Sequence, residues 1–114
     1  MTLIIGPLFS GQEEYAAKTF GKTAAESDRT LHNAETLAGS CETAEELHRL
    51  ATDLSSRYDI ILFTETRGGV VPLDAGERFR REQAGRLSCL LAEQADTVIR
   101  MCCGLPMVLK GTTD

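Results

Sequence analysis

With 114 residues and a formal net charge of -5, the chain is expected to form one domain, able to bury roughly two-thirds of its unfolded surface and too short for two cores. The acidic balance argues against broad electrostatic binding to nucleic acid or an anionic membrane, leaving a small molecule or another protein as the expected partner. No apolar run approaches the roughly 20 residues that span a bilayer and no basic leader pattern opens the chain, so a cytoplasmic protein is expected.

Leu3 to Ile5 is a short apolar run of the kind that forms a central strand. It ends in Gly6-Pro7-Leu8-Phe9-Ser10-Gly11, two glycines at the spacing of a phosphate-binding loop, and a helix is predicted from about Gly11 to Phe20. Where that loop needs Lys and then Ser or Thr, the chain has Gln12 and Glu13. Gly6 and Gly11 keep the backbone part of a phosphate cradle. Gln12 donates hydrogen bonds without charge, and Glu13 cannot be a hydroxyl ligand for Mg²⁺. Glu13 and Glu14 also occupy the first helical turn, whose positive dipole end a phosphate would otherwise use. The alternative is a plain strand-to-helix turn without a ligand.

Residues 21 to 40 carry the weakest signal. Lys22 to Arg29 is polar, Thr30 to His32 fits a short strand, and Gly39-Ser40 is a break. Thr43 and Glu46 then make a capping box, with Leu47, Leu50, Ala51 and Leu54 forming one buried helical stripe. Tyr58 to Phe63 is nearly continuous in apolar and β-branched residues, as in a strand covered on both faces, and runs into the polar loop Thr64 to Gly69. Asp74 with Glu77 caps a further helix whose stripe is Ala84, Leu87, Leu91 and Ala95, although Gly76 weakens its first turn. Asp96 to Cys103 reads as another strand with Arg100 its one awkward residue, Gly104-Leu105-Pro106 as a turn, and Met107 to Leu109 as a short last strand. Cys41, Cys89, Cys102 and Cys103 form no C-x-x-C pattern. Strand neighbours such as Cys102 and Cys103 point to opposite faces, so buried reduced thiols and no structural metal are expected.

Strands alternating with helices predict a mostly parallel α/β sheet, with ligands at the carboxyl ends of its strands, where the Gly6 and Glu65 loops fall. Glu65, Gly69, Val70, Val71 and Pro72, then Arg78, Arg81, Gly85 and Arg86, then Ala95-Asp96, then Gly104, Pro106 and Lys110 follow one another at a spacing that resembles the bifunctional adenosylcobinamide kinase/adenosylcobinamide-phosphate guanylyltransferase family of cobalamin biosynthesis. The register holds without a gap from Glu65 to Lys110, and the Gly6 loop sits where that family has its P-loop. Departures are Gln12 and Glu13, Arg67 for a glycine, Thr64 for an asparagine, Ser88 for the helix asparagine and Phe79 one position early. The chain is also shorter between Phe20 and Thr43, where the family's guanylate-accepting histidine lies. His32 falls in that region without matching its motif, and His48 reads as an edge or surface residue of its helix.

The resemblance implies a single P-loop NTPase-like domain over residues 1 to 114, a three-layer, mostly parallel sheet with helices on both faces. It implies a nucleotide site at Gly6, Pro7, Leu8, Phe9, Ser10, Gly11, Gln12 and Glu13, binding GTP or ATP with Mg²⁺ weakly. Arg67 is a candidate to reach the phosphate position left by the lost lysine, against a solvated loop arginine. Glu65 is a candidate Mg²⁺ carboxylate, against a hydrogen-bonded structural role. The expected partners are a purine nucleotide, cobinamide-pathway proteins and further copies of the chain. Two functions stay open: a reduced kinase/guanylyltransferase-like transferase with guanylyl transfer lost, and a pseudoenzyme acting as a binding or assembly module. A small α/β domain whose loops merely coincide with the pattern is the bland third.

Overall fold

The computed structural model describes residues 1–7, 10–65 and 74–111. The described chain is α/β. Strand β1 (Thr2–Pro7) leads to helices α1 (Gln12–Phe20) and α2 (Lys22–Ala25), then to strand β2 (Thr30–Leu31) and a 3-10 helix (Ala34–Ser40). Helix α3 (Ala44–Arg57), strand β3 (Ile60–Glu65), helix α4 (Ala75–Gln94) and strands β4 (Thr97–Cys102) and β5 (Leu105–Lys110) complete it.

The five strands form one sheet in the order β2-β3-β1-β4-β5, parallel except for the antiparallel pair β4 and β5. Alternation along each strand divides the core between the two faces, as the period-two geometry of a strand requires. Leu3, Ile5, Ile61, Phe63 and Val98 face the 3-10 helix, α3 and α4, meeting Leu47, Ala51, Leu54, Leu87 and Leu91. Ile4, Ile60, Leu62, Ile99 and Met101 face α1 and α2, meeting Ala16 and Ala25 with Tyr15 and Phe20 at the margin. The central strands are therefore apolar on both sides, the physical reason their sequences are continuous rather than alternating.

Chain connections leave neighbouring strands toward opposite faces: β1 feeds α1 on one side and β3 runs toward α4 on the other. That divergence opens a crevice at the carboxyl ends of β1 and β3. Helix α3 starts where its capping box predicts, with Thr43 Oγ1 accepting the Glu46 N–H at 3.1 Å, but the Glu46 carboxylate accepts the Glu42 N–H, one residue before the Thr43 N–H of a full box. Asp74 Oδ1 does the same for Glu77 at the start of α4.

Several expectations are corrected. Gly39-Ser40, read as a break, closes a 3-10 helix over Ala34–Ser40 that buries Ala34 and Ala38 and to which the sequence assigned no element. Tyr58 and Asp59 precede β3 rather than belonging to it, and Ala95 follows the end of α4 while remaining buried. Pro106 lies within β5, and the turn before it is Cys103-Gly104, with φ of 53° and 77°. Two consecutive left-handed residues are what a tight type I′ hairpin needs. Of the four thiols only Cys41 is buried; Cys89, Cys102 and Cys103 are exposed, because Cys89 sits on the outer side of α4 and the other two at the hairpin end. No described helix is long and apolar enough to cross a membrane.

Candidate functional site

The loop after β1 is built around a close approach. A Cβ on Gly6 would lie 2.5 Å from Ser10 Oγ and 2.8 Å from the Met101 carbonyl oxygen, so the absent side chain lets the loop fold back beneath β4. Gly11, at φ 92°, turns the chain left-handed into α1. The Ser10 N–H is spent on the Pro7 carbonyl, and the Ser10 carbonyl accepts the Gly104 N–H, tying the loop to the β4–β5 hairpin.

Gln12 points into this loop and fills it. It is 8% exposed and its neighbour Ser10 3%. Gln12 Nε2 donates to the Gly6 carbonyl at 2.8 Å, with the Pro7 and Phe63 carbonyls at 3.3 and 3.4 Å. Ser10 Oγ lies 2.6 Å from the Pro7 carbonyl and 2.8 Å from Gln12 Oε1, so its one hydrogen serves these two acceptors. Among the described residues, the groups that the Gln12 amide meets here are thus carbonyl oxygens, satisfied by a neutral donor. A phosphate requires the reverse, a ring of N–H donors beside a cation.

The crevice outside the loop holds about 230 Å³ between Gly11, Glu13, Glu14, Asn33 and Thr64, below the roughly 300–1,000 Å³ of ordinary ligand pockets. Two carboxylates at its rim repel a triphosphate. Glu13 is also committed: its Oε1 lies 3.2 Å from His32 Nδ1, while His32 Nε2 lies 3.1 Å from the Ala25 carbonyl. With both ring nitrogens engaged, His32 faces α1 and α2 rather than a substrate.

Glu65 ends β3 and meets Arg100 from β4 across the end of β1. Arg100 Nε and Nη2 each lie 3.2 Å from one Glu65 oxygen, a two-point pair with side chains 23% and 26% exposed. The hydrogen bonds that Arg100 donates to Glu65, and then the Glu65 charge, raise the Arg100 pKa above the ordinary arginine value. This pair accounts for the awkward arginine of β4 and gives the carboxylate a guanidinium partner in the role the sequence reading offered to Mg²⁺. No group of three or more His, Cys, Asp or Glu side chains able to hold a metal occurs among the described residues. Leu8, Phe9 and Arg67 lie outside the described residues, as do Gly69 to Pro72.

Two of the residues that carried the resemblance toward the C-terminus, Lys110 and Arg86, serve the fold. Lys110 Nζ donates to the Ala92 and Glu93 carbonyls at the end of α4, where a cation complements the helix dipole. Arg86 donates to Gln83 Oε1, and the buried Gln83 amide reaches the Cys41 carbonyl at 3.0 Å. Sequence reasoning missed the inward-turned Gln12 amide and the identity of Arg100 as the partner of Glu65, whose hydrogen-bonded structural role was one of its two readings. The only advance signals were a neutral amide at the lysine position and opposite charges near the carboxyl ends of two strands on the same sheet face. No protein-family model and no curated protein matches the chain.

Proposed function

We propose that the chain is a non-catalytic relative of the adenosylcobinamide kinase/guanylyltransferase family, a reduced P-loop NTPase-like domain acting as a binding or assembly module rather than a nucleotide-driven enzyme. The observation that carries this reading is the Gln12 carboxamide held inside the loop by the Gly6, Pro7 and Phe63 carbonyls. It occupies the place where a phosphate cradle would have a cationic amine, and it supplies no charge. The four parallel strands and the crevice at the ends of β1 and β3 support descent from a ligand-binding sheet. The carboxylates of Glu13 and Glu14 beside that crevice argue against GTP or ATP with Mg²⁺ as its resident.

Self-association belongs to the same reading. Leu105, Met107, Val108 and Leu109 are exposed along β5, an edge strand covered by nothing among the described residues, and a second copy is its proposed partner. Analytical ultracentrifugation of the parent chain and of Met107→Lys/Leu109→Lys tests this. A dimer or larger species reduced to monomer by the two lysines is expected; a monomeric parent counts against it.

The enzymatic arm is tested by phosphoryl transfer from GTP and from ATP, with Mg²⁺, to adenosylcobinamide. No turnover is expected from the parent chain, and nucleotide binding is expected to return in part in Gln12→Lys/Glu13→Ser. Turnover by the parent chain overturns the non-catalytic reading.

A further inference from the structure

On the opposite face of the sheet from α1, a second cleft of about 500 Å³ lies between the 3-10 helix and α4, lined by Glu35, Thr36, Glu77, Arg80 and Arg81. Its volume falls within the range of ordinary ligand pockets, roughly 300–1,000 Å³. Its mouth lies by the carboxyl end of β3, because Glu35 Oε1 accepts the Thr64 N–H at 2.9 Å. Parallel sheets take their ligands at such strand ends.

Arg81 distinguishes this cleft from a surface groove. Its Nη1 is buried and finds no hydrogen-bond partner among the described residues. A charged donor shut away from water without an acceptor is costlier than a neutral one, and folded proteins leave few such groups without a role. The neighbouring Arg80, an exposed residue, passes close to Gly39 and Gly76: a Cβ on Gly39 would lie 3.5 Å from Arg80 Cδ, and one on Gly76 3.5 Å from Arg80 Nη1. Two guanidinium groups of one helix thus line the cleft, one exposed and one with a buried N–H that lacks an acceptor among the described residues.

The geometry points to an oxyanion site in this cleft, with Arg81 swinging its unpaired N–H onto the anion and Arg80 supplying the second donor fork. Glu35 and Glu77 oppose the two arginines, so a bare anion gains little net charge attraction. A small phosphorylated or carboxylated molecule that also carries hydroxyl groups matches the full set: guanidinium groups take the anion, and the carboxylates accept from the hydroxyls. The site is separate from the Gly6 loop and does not rest on the cobinamide reading.

NMR of the arginine Nε–H groups tests the site, with glycerol 3-phosphate, inorganic phosphate, glycerate and glycerol as probes. Saturable shifts of the Arg80 and Arg81 signals are expected with glycerol 3-phosphate or glycerate at low-millimolar concentration, weaker ones with inorganic phosphate, and none with glycerol. A response to glycerol 3-phosphate alone, or to glycerate alone, assigns the anion as phosphate or carboxylate. Arg81→Gln is expected to weaken binding about tenfold, the loss of a charge-assisted hydrogen bond. Arg81→Met separates binding from folding, because removing an unpaired buried donor should raise Tm while abolishing the shifts. Absence of saturable shifts with every anion, or unchanged binding in Arg81→Gln, overturns the proposal, as does a fall in Tm for Arg81→Met.

Discussion

Gly6 and Gln12 show how one loop retains the outline of a phosphate site while its interior serves another purpose. In the sequence Gly6 read as a backbone cradle; in the fold it permits Ser10 Oγ and the Met101 carbonyl to come close, a packing requirement that holds with no ligand present. Gly6→Ala is therefore expected to destabilise the chain by about 1–3 kcal/mol, the usual cost of forcing extra volume into a packed site. Equilibrium urea unfolding followed by circular dichroism measures this, and an unchanged midpoint would mean that the loop has room to spare. Gln12 was legible as a missing lysine and not as an inward amide, because the carbonyls it satisfies come partly from β3, 51 residues away in sequence. The partner of Glu65 escaped for a similar reason: Arg100 lies 35 residues on, and only the strand order brings the two together.

Among the elements, α3 and α4 were the most legible because cap chemistry and a one-face apolar stripe are local signals, both present at Thr43 and Asp74. The 3-10 helix carried neither, its burial resting on two small residues, Ala34 and Ala38. Strand β5 was obscured by Pro106, which reads as a turn residue. Cys102 and Leu105 flank the two-residue turn as a mutually hydrogen-bonded pair, so the next pair, Met101 with Pro106, directs the proline nitrogen to the open edge where no N–H is needed. The short strand β2 is held at its entry by Arg29, whose carbonyl accepts the Asp59 N–H and whose guanidinium forks onto the Asp59 carboxylate at 2.9 and 3.2 Å. Those side-chain hydrogen bonds from Arg29 hold the Asp59 pKa below the usual carboxylate value. A depressed folded pKa means the pair stabilises the fold above the unfolded carboxylate pKa of about 3.9, and that contribution is lost as pH falls through the lower folded value. Carbon-detected NMR titration should place Asp59 below the usual aspartate value and return it toward that value in Arg29→Gln; coincident titration in both proteins would remove the pair from the account.

For the molecule as a whole, one sheet lends its two faces to two different prospects. The α1 face carries a strand end whose carbonyls are taken by Gln12, while the α4 face carries a larger cleft with a buried arginine N–H that has no partner among the described residues. The parallel α/β core was readable because apolar strands and capped helices alternate; the antiparallel edge and the contents of the loop depended on long-range pairing that no local pattern encodes. The central claim is that the Gly6 loop is closed to nucleotide by Gln12. It is tested most directly by observing the Gln12 side-chain amide in ¹⁵N NMR while GTP or ATP with Mg²⁺ is added. An amide protected from exchange and unshifted, with any dissociation constant weaker than about 1 mM, is the predicted result; micromolar nucleotide binding that displaces the amide signal would contradict it.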